Sequence, residues 1–155
     1  MSIQIGDIAP IFTILLDDGR FVTSEFYKNN KNIILYFYPK DDTPGCTMEA
    51  ANFRDAYKEI SSLDAVVIGV SKDNVKSHEN FKKKYNLPFH LIADTESKLI
   101  QAYDVLVEKS MFNKTYMGID RSTFLIDKEG IIRKIWRNVK VTNHVSCVIE
   151  EIKQL

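Results

Sequence analysis

The sequence predicts one α/β domain, a three-layer sandwich around a mixed β-sheet. Three observations carry that expectation. Two continuous apolar runs, residues 33–38 (IILYFY) and 65–70 (AVVIGV), have the length and β-branched content of strands buried on both faces. Between them Ala50, Phe53, Tyr57 and Ile60 recur at three- and four-residue spacing, so a helix joins the two runs in a β-α-β unit with parallel strands. Near the end, Lys128-Glu129-Gly130 separates two further strand-like segments and adds an antiparallel pair.

Taken in order, residues 11–16 and 21–23 flank Asp17-Asp18-Gly19 and predict an N-terminal hairpin. The first buried strand stops at Pro39. One amphipathic helix carries the Ala50–Phe53–Tyr57–Ile60 stripe to the second strand. Val75, Phe81 and Tyr85 mark another helix, which ends before Pro88. A strand at 89–92, a short helix at 97–103 and the hairpin of 122–127 and 131–136 follow. A closing helix places Val141, Val145, Val148, Ile149, Ile152 and Leu155 on one stripe. At about 100° per residue, Cys147 projects roughly 140° from that stripe, toward solvent. This order fits a thioredoxin-like fold, and other α/β folds as well.

Composition narrows the function. The 155 residues are 45% hydrophobic and 27% charged, enough for a single core without disulfide or metal, and they read as one domain, 1–155. Lys plus Arg and Asp plus Glu both number 21, a balance that favours neither nucleic acid nor an acidic membrane. No apolar run reaches the ~18 residues of a membrane span. The N-terminal stretch MSIQIGDIAP has neither a basic nor an apolar signal segment. Two widely separated cysteines make no secreted disulfide framework. The expected setting is a reducing cytoplasm, where a cysteine is as much a candidate for chemistry as for packing.

The stretch that carries chemistry is Tyr38-Pro39-Lys40-Asp41-Asp42-Thr43-Pro44-Gly45-Cys46-Thr47, where the first buried strand gives way to a helix. Thr43 reads as an N-cap and Pro44 as the first helical residue. Cys46 then falls in the first turn, where unpaired backbone N–H groups favour an anionic sulfur. Gly45 leaves room for a ligand beside it. A cysteine buried in a Pro/Gly turn for packing alone has the same local pattern. Asp41 and Asp42 read as solvated turn residues that oppose a thiolate, so the site demands a compensating cation.

The spacing Pro39-x-x-x-Thr43-x-x-Cys46 matches the active-site motif of the peroxiredoxins. The strings YPKDDTPGCTMEAANFRD (38–55), SKDNVKSHENFKKKYNLPFHLIAD (71–94) and GIDRSTFLIDKEG (118–130) resemble the bacterioferritin comigratory protein, or peroxiredoxin Q, subfamily over nearly the whole chain. The resemblance implies a thioredoxin-like sandwich with an N-terminal β-hairpin extension. It implies a thiol peroxidase that reduces hydrogen peroxide and organic hydroperoxides for antioxidant defence, without a cofactor. Cys46 is similar to the peroxidatic cysteine, which becomes a sulfenic acid. Thr43 is similar to the hydroxyl that hydrogen-bonds the peroxide, Pro39 to the residue shielding the sulfur, and Arg121 to the cation the site demands. Glu49 fits the string too and reads as an acid favouring the helix N-terminus. Many subfamily members carry a resolving cysteine five residues after the peroxidatic one; here that position is Ala51. The expected reductant is therefore an external thiol, from thioredoxin, a glutaredoxin or glutathione, and the expected state a monomer or weak dimer.

Two rivals are weaker. A thiol–disulfide oxidoreductase wants C-x-x-C, and the residue three after Cys46 is Glu49. A catalytically silent binding module has no need of Thr43, Cys46 and Arg121 together. His78, His90 and His144 share no ligand spacing with either cysteine and read as surface or packing residues.

Overall fold

The computed structural model describes residues 3–16 and 18–155; Asp17 of the expected Asp17-Asp18-Gly19 turn lies outside the described residues, with Met1 and Ser2. β1 (Thr13–Leu15) and β2 (Phe21–Thr23) pair antiparallel with Ile14 opposite Val22, forming the expected N-terminal hairpin. β3 (Asn32–Phe37) is buried at every position. It leads through α1 (Pro44–Asp55) and α2 (Tyr57–Ser62) to β4 (Ala65–Ser71), which lies parallel to it with Ile34 opposite Val67. Where the sequence predicts one helix, the structure has two. Ala56, at φ −94° and ψ 1°, interrupts the helical geometry, yet its N–H still reaches the Asn52 carbonyl and Ile60 N–H reaches the Ala56 carbonyl. The buried stripe of Ala50, Phe53 and Ile60 therefore continues across the break.

α3 (Val75–Tyr85) begins at Asn74, whose side chain accepts from Ser77 N–H, and ends at Asn86 in the left-handed region. β5 (His90–Ala93), α4 (Lys98–Ala102), β8 (Ser122–Ile126), β9 (Ile132–Trp136) and α5 (His144–Ile152) complete the predicted elements. The closing helix is shorter than its apolar stripe. Val141 precedes it and Leu155, largely exposed, follows it, while Val145, Val148, Ile149 and Ile152 are buried and Cys147 is exposed as predicted.

β6 (Leu106–Met111) and β7 (Lys114–Ile119) form a hairpin the sequence reading lacks. Its link is Phe112-Asn113, both at positive φ, the conformation of a type I′ turn. Apart from Ile119 its positions are exposed or only partly buried, so no core pattern betrays it.

The main sheet runs β5-β4-β3-β8-β9, with β5, β4 and β3 parallel and β8 and β9 antiparallel to their neighbours. Alternation along β3 separates two cores. Ile34, Tyr36 and Tyr38 pack with Phe53, Ile60, Phe81 and Val148 under α1, α2, α3 and α5. Ile33, Leu35 and Phe37 pack with Leu99, Ile100 and Tyr103 of the α4 segment and with Phe12 and Ile14. The second outer layer is thus a short helix plus the N-terminal hairpin. Each fully buried Phe or Ile contributes about 1.5–3 kcal/mol of transfer free energy. The sheet anchors two site segments: the loop leaving β3, and the residue just before β8.

Candidate active site

Pro39 lies two residues beyond the end of β3 and is half-buried. Thr43 sits at the N-cap position with extended backbone and Pro44 opens the helix, as expected, but the hydroxyl makes no cap hydrogen bond. It donates instead to the Lys40 carbonyl at 2.9 Å. Cys46 lies in the first turn of α1 and is 2% exposed, so the sulfur is enclosed and not at the open mouth of a pocket.

Arg121 comes from the short link between β7 and β8 and brings the demanded cation to the sulfur. Its Nη2 lies 3.4 Å from Cys46 Sγ, and its Nη1 donates to Glu49 Oε1 at 2.8 Å. The two arms of one planar guanidinium hold the carboxylate and face the thiol together, which a lysine cannot do. Gly45 is explained by the same group. A Cβ there would stand 3.1 Å from Arg121 Nη2, so the room read as space for a ligand is filled by the guanidinium.

Two acidic residues depart from the sequence reading. Glu49 is fully buried and orients Arg121; it does not merely favour the helix N-terminus. Burial pushes its carboxyl up to about 7, against the opposing pull of Arg121. Glu49 Oε2 and the Tyr36 hydroxyl are buried without a hydrogen-bond partner among the described residues. Burial, then the negative charge of Glu49 and of the sulfur, holds the Tyr36 phenol far above its ordinary range.

Asp41 is not a solvated turn residue. It is 7% exposed and accepts from the Tyr38 hydroxyl at 2.6 Å and from Ser77 Oγ at 2.8 Å. It is also hydrogen-bonded to His78 Nδ1 across 2.7 Å, while His78 Nε2 faces the Ile92 carbonyl at 3.0 Å. Burial opposes the Asp41 charge, but hydrogen bonds from His78, Tyr38 and Ser77 hold its carboxyl below the ordinary range. Asp42 is exposed as read, at φ 57°, and bonds Lys84 Nζ and the Tyr85 hydroxyl.

Asp41, Asp73 and His78 present ligand atoms within 4.8 Å of one another, but the hydrogen bonds of this group run to protein partners and make it a structural clamp. His144 is buried beside the Thr123 hydroxyl at 2.7 Å, and burial, then the charge of Arg121, brings it down to about 4. Both histidines are packing residues. An enclosed sulfur facing a fixed guanidinium is suited to attack on a small electrophile, with charge stabilised as it develops.

The AhpC/TSA family profile matches residues 5–135. The chain is 52% identical to Peroxiredoxin Bcp of Bacillus subtilis, over 100% of this chain and 98% of that protein. Among solved structures, a cysteine-to-serine variant of Xylella fastidiosa PrxQ superposes with a TM-score of 0.91 at 37% identity, covering 99% of this chain and 98% of that one. The bacterioferritin comigratory protein of Xanthomonas campestris, studied for its alkyl peroxide reduction activity, superposes with a TM-score of 0.85 at 39% identity, covering 92% and 90%.

Proposed function

The chain belongs to the AhpC/TSA family and is a thiol-dependent peroxidase of thioredoxin-like fold, and on that premise we propose that Cys46, Thr43, Arg121 and Pro39 form its peroxide-reducing site. The observation that carries the reading is Arg121 Nη2 at 3.4 Å from Cys46 Sγ, held there by Glu49. The Cys46 thiolate attacks the terminal oxygen of a hydroperoxide in line with the O–O bond. An S–O bond forms, the O–O bond breaks, and the alkoxide or hydroxide leaves and takes a proton. Sulfur is oxidised to the sulfenic acid as the peroxide is reduced to alcohol or water. Arg121 donates where charge builds on the departing oxygen. Thr43, its own proton engaged by Lys40, offers lone pairs that accept the peroxide O–H. Pro39 closes the sulfur off from bulk water.

The substrates are hydrogen peroxide and organic hydroperoxides; the alkyl peroxide activity of the Xanthomonas relative supports the second. With Ala51 in the chain and Cys147 exposed on α5, the sulfenic acid waits for an external thiol. That thiol attacks the sulfenic sulfur, water leaves, and a second thiol reduces the mixed disulfide. A reducing cytoplasm supplies such thiols. No described helix is long and apolar enough to cross a membrane.

One equivalent of peroxide without reductant is expected to give a sulfenic acid on Cys46, trapped by dimedone and mapped by mass spectrometry. A rapid, quantitative Cys46–Cys147 disulfide within one chain would sink the one-cysteine cycle. An adduct elsewhere would sink the assignment of Cys46. A smaller effect is expected for Gly45→Ala. Its Cβ must push the guanidinium by a few tenths of an ångström. The displaced donor should slow peroxide reduction roughly threefold to tenfold, below the hundredfold of a full ångström. Stopped-flow kinetics would check it, and an unchanged rate would mean that Arg121 tolerates the shift.

A further inference from the structure

We propose that Asp73 is a positioning residue for peroxide reduction, setting the Thr43 hydroxyl through the single peptide that joins Lys40 to Asp41. This rests on the reading of Thr43 as a contact of the peroxide. The N–H end of that peptide, on Asp41, donates to Asp73 Oδ2 at 2.8 Å. The carbonyl end, on Lys40, accepts from the Thr43 hydroxyl at 2.9 Å. The peptide is trans, so the two groups point to opposite sides of one rigid plane. A rotation of that plane breaks both bonds at once.

Asp73 is itself tied to the sheet. Ser71, fully buried at the end of β4, donates its hydroxyl to the same Oδ2 at 2.7 Å, and Asp73 N–H donates back to Ser71 Oγ at 3.1 Å. A physical chain thus runs from the end of β4 through a carboxylate and one peptide to the hydroxyl. The loop has need of it. Asp42 follows in the left-handed region, a conformation that surrounding contacts must hold. The Asp41 and Asp42 carboxylates anchor side chains, whereas Asp73 grips the peptide plane with a charge-assisted bond. The chemical consequence falls on Thr43. With Lys40 holding its proton, the oxygen presents lone pairs to the peroxide O–H; once the peptide turns, the hydroxyl rotor is released.

The test is a double-mutant cycle on the second-order rate of Cys46 oxidation by hydrogen peroxide. Thr43→Val is expected to slow it about a hundredfold, the scale of one lost transition-state hydrogen bond. Asp73→Ala is expected to slow it about tenfold through loss of orientation. In the double variant the rate should equal that of Thr43→Val alone. Asp73→Asn should retain most of the rate, because its carboxamide oxygen still accepts from Asp41 N–H. Alkylation of Cys46 by iodoacetamide, followed by peptide mass, should be unchanged in Asp73→Ala, since Arg121 still faces the sulfur. Asp73→Leu, of similar shape, takes the place of the alanine variant should that chain not fold.

If Thr43→Val reacts at the wild-type rate, the reading of Thr43 is wrong and the proposal goes with it. If Thr43→Val is slow but Asp73→Ala is not, or the two losses multiply, Thr43 keeps its role and the positioning by Asp73 is overturned. An alkylation rate that falls as far as the peroxide rate would show a collapsed site and overturn it too.

Discussion

Replacing Arg121 by alanine is expected to slow peroxide reduction by roughly two to three orders of magnitude while the chain remains folded. The rate loss follows from geometry. One nitrogen of Arg121 stands 3.4 Å from the Cys46 sulfur and the other is held by Glu49 at 2.8 Å. Without the guanidinium the sulfur loses its nearest cation, and the departing oxygen loses a donor placed before the reaction begins. Arg121→Lys should recover only part of the rate, because a single ammonium cannot serve both partners at separate nitrogens. A stopped-flow rate for Arg121→Ala equal to that of the wild type would remove Arg121 from the chemistry.

The folded state survives because Glu49 can discharge itself. Its carboxyl already stands at about 7 by burial, and Arg121 is what keeps it from rising further. In Arg121→Ala it rises and holds its proton at neutral pH, so no bare charge is left in the core. The pH dependence has a definite sign. A carboxyl whose folded value exceeds the ordinary 4.5 binds its proton more tightly when folded, so stability is greatest below 4.5 and declines as pH rises through about 7. In the variant the decline should extend to higher pH. Denaturant titrations at pH 5 and pH 8 should therefore show a gap from wild type that widens with pH.

Much of this was legible in the sequence, and the exceptions have common causes. β3 and β4 announce themselves because both faces are covered and, Asn32 apart, every residue is apolar or small. Cys46, Thr43 and Arg121 were singled out by spacing and resemblance, and the structure does bring Arg121 to the sulfur. The β6–β7 hairpin was invisible because it packs mainly on itself, and Phe112 is an unusual first residue for a type I′ turn. Glu49 did leave a signal. It lies three residues after Cys46 and four before Phe53, on the face of α1 that also buries Ala50, so helical period alone places a carboxylate in the core. A buried acid requires a cation, and Arg121 answers it. Asp41 left no such mark. It lies in a turn, where no period separates inside from outside, and Ser77 and His78, which join the nearby Tyr38 as its partners, come from α3 far along the chain.

Asp41 is accordingly where the largest loss of stability is expected. Asp41→Ala should lower the unfolding free energy by about 3–5 kcal/mol, the usual consequence of removing one partner from a buried pair. For a chain of this size that is a melting point lower by roughly 6–20 °C. The deletion strips the Tyr38 hydroxyl, Ser77 Oγ and His78 Nδ1 of a shared acceptor, and Tyr38 and His78 are buried. Asp42→Asn, one residue on, is the contrast. Its ion pair with Lys84 is exposed and Asn tolerates the left-handed backbone, so little change is expected. The pH signature differs from that of Glu49. A carboxyl held below its ordinary 3.8 contributes stability that is fully present above that value and is lost only as pH falls through the lower, folded one. The loss caused by Asp41→Ala should thus diminish in acid below the ordinary carboxylate range, whereas the Arg121→Ala gap changes between pH 5 and pH 8. Thermal unfolding curves of Asp41→Ala that superimpose on the wild type at pH 7 would return Asp41 to the role of a solvated turn residue, and the clamp beneath the Cys46 loop would carry no weight in the fold.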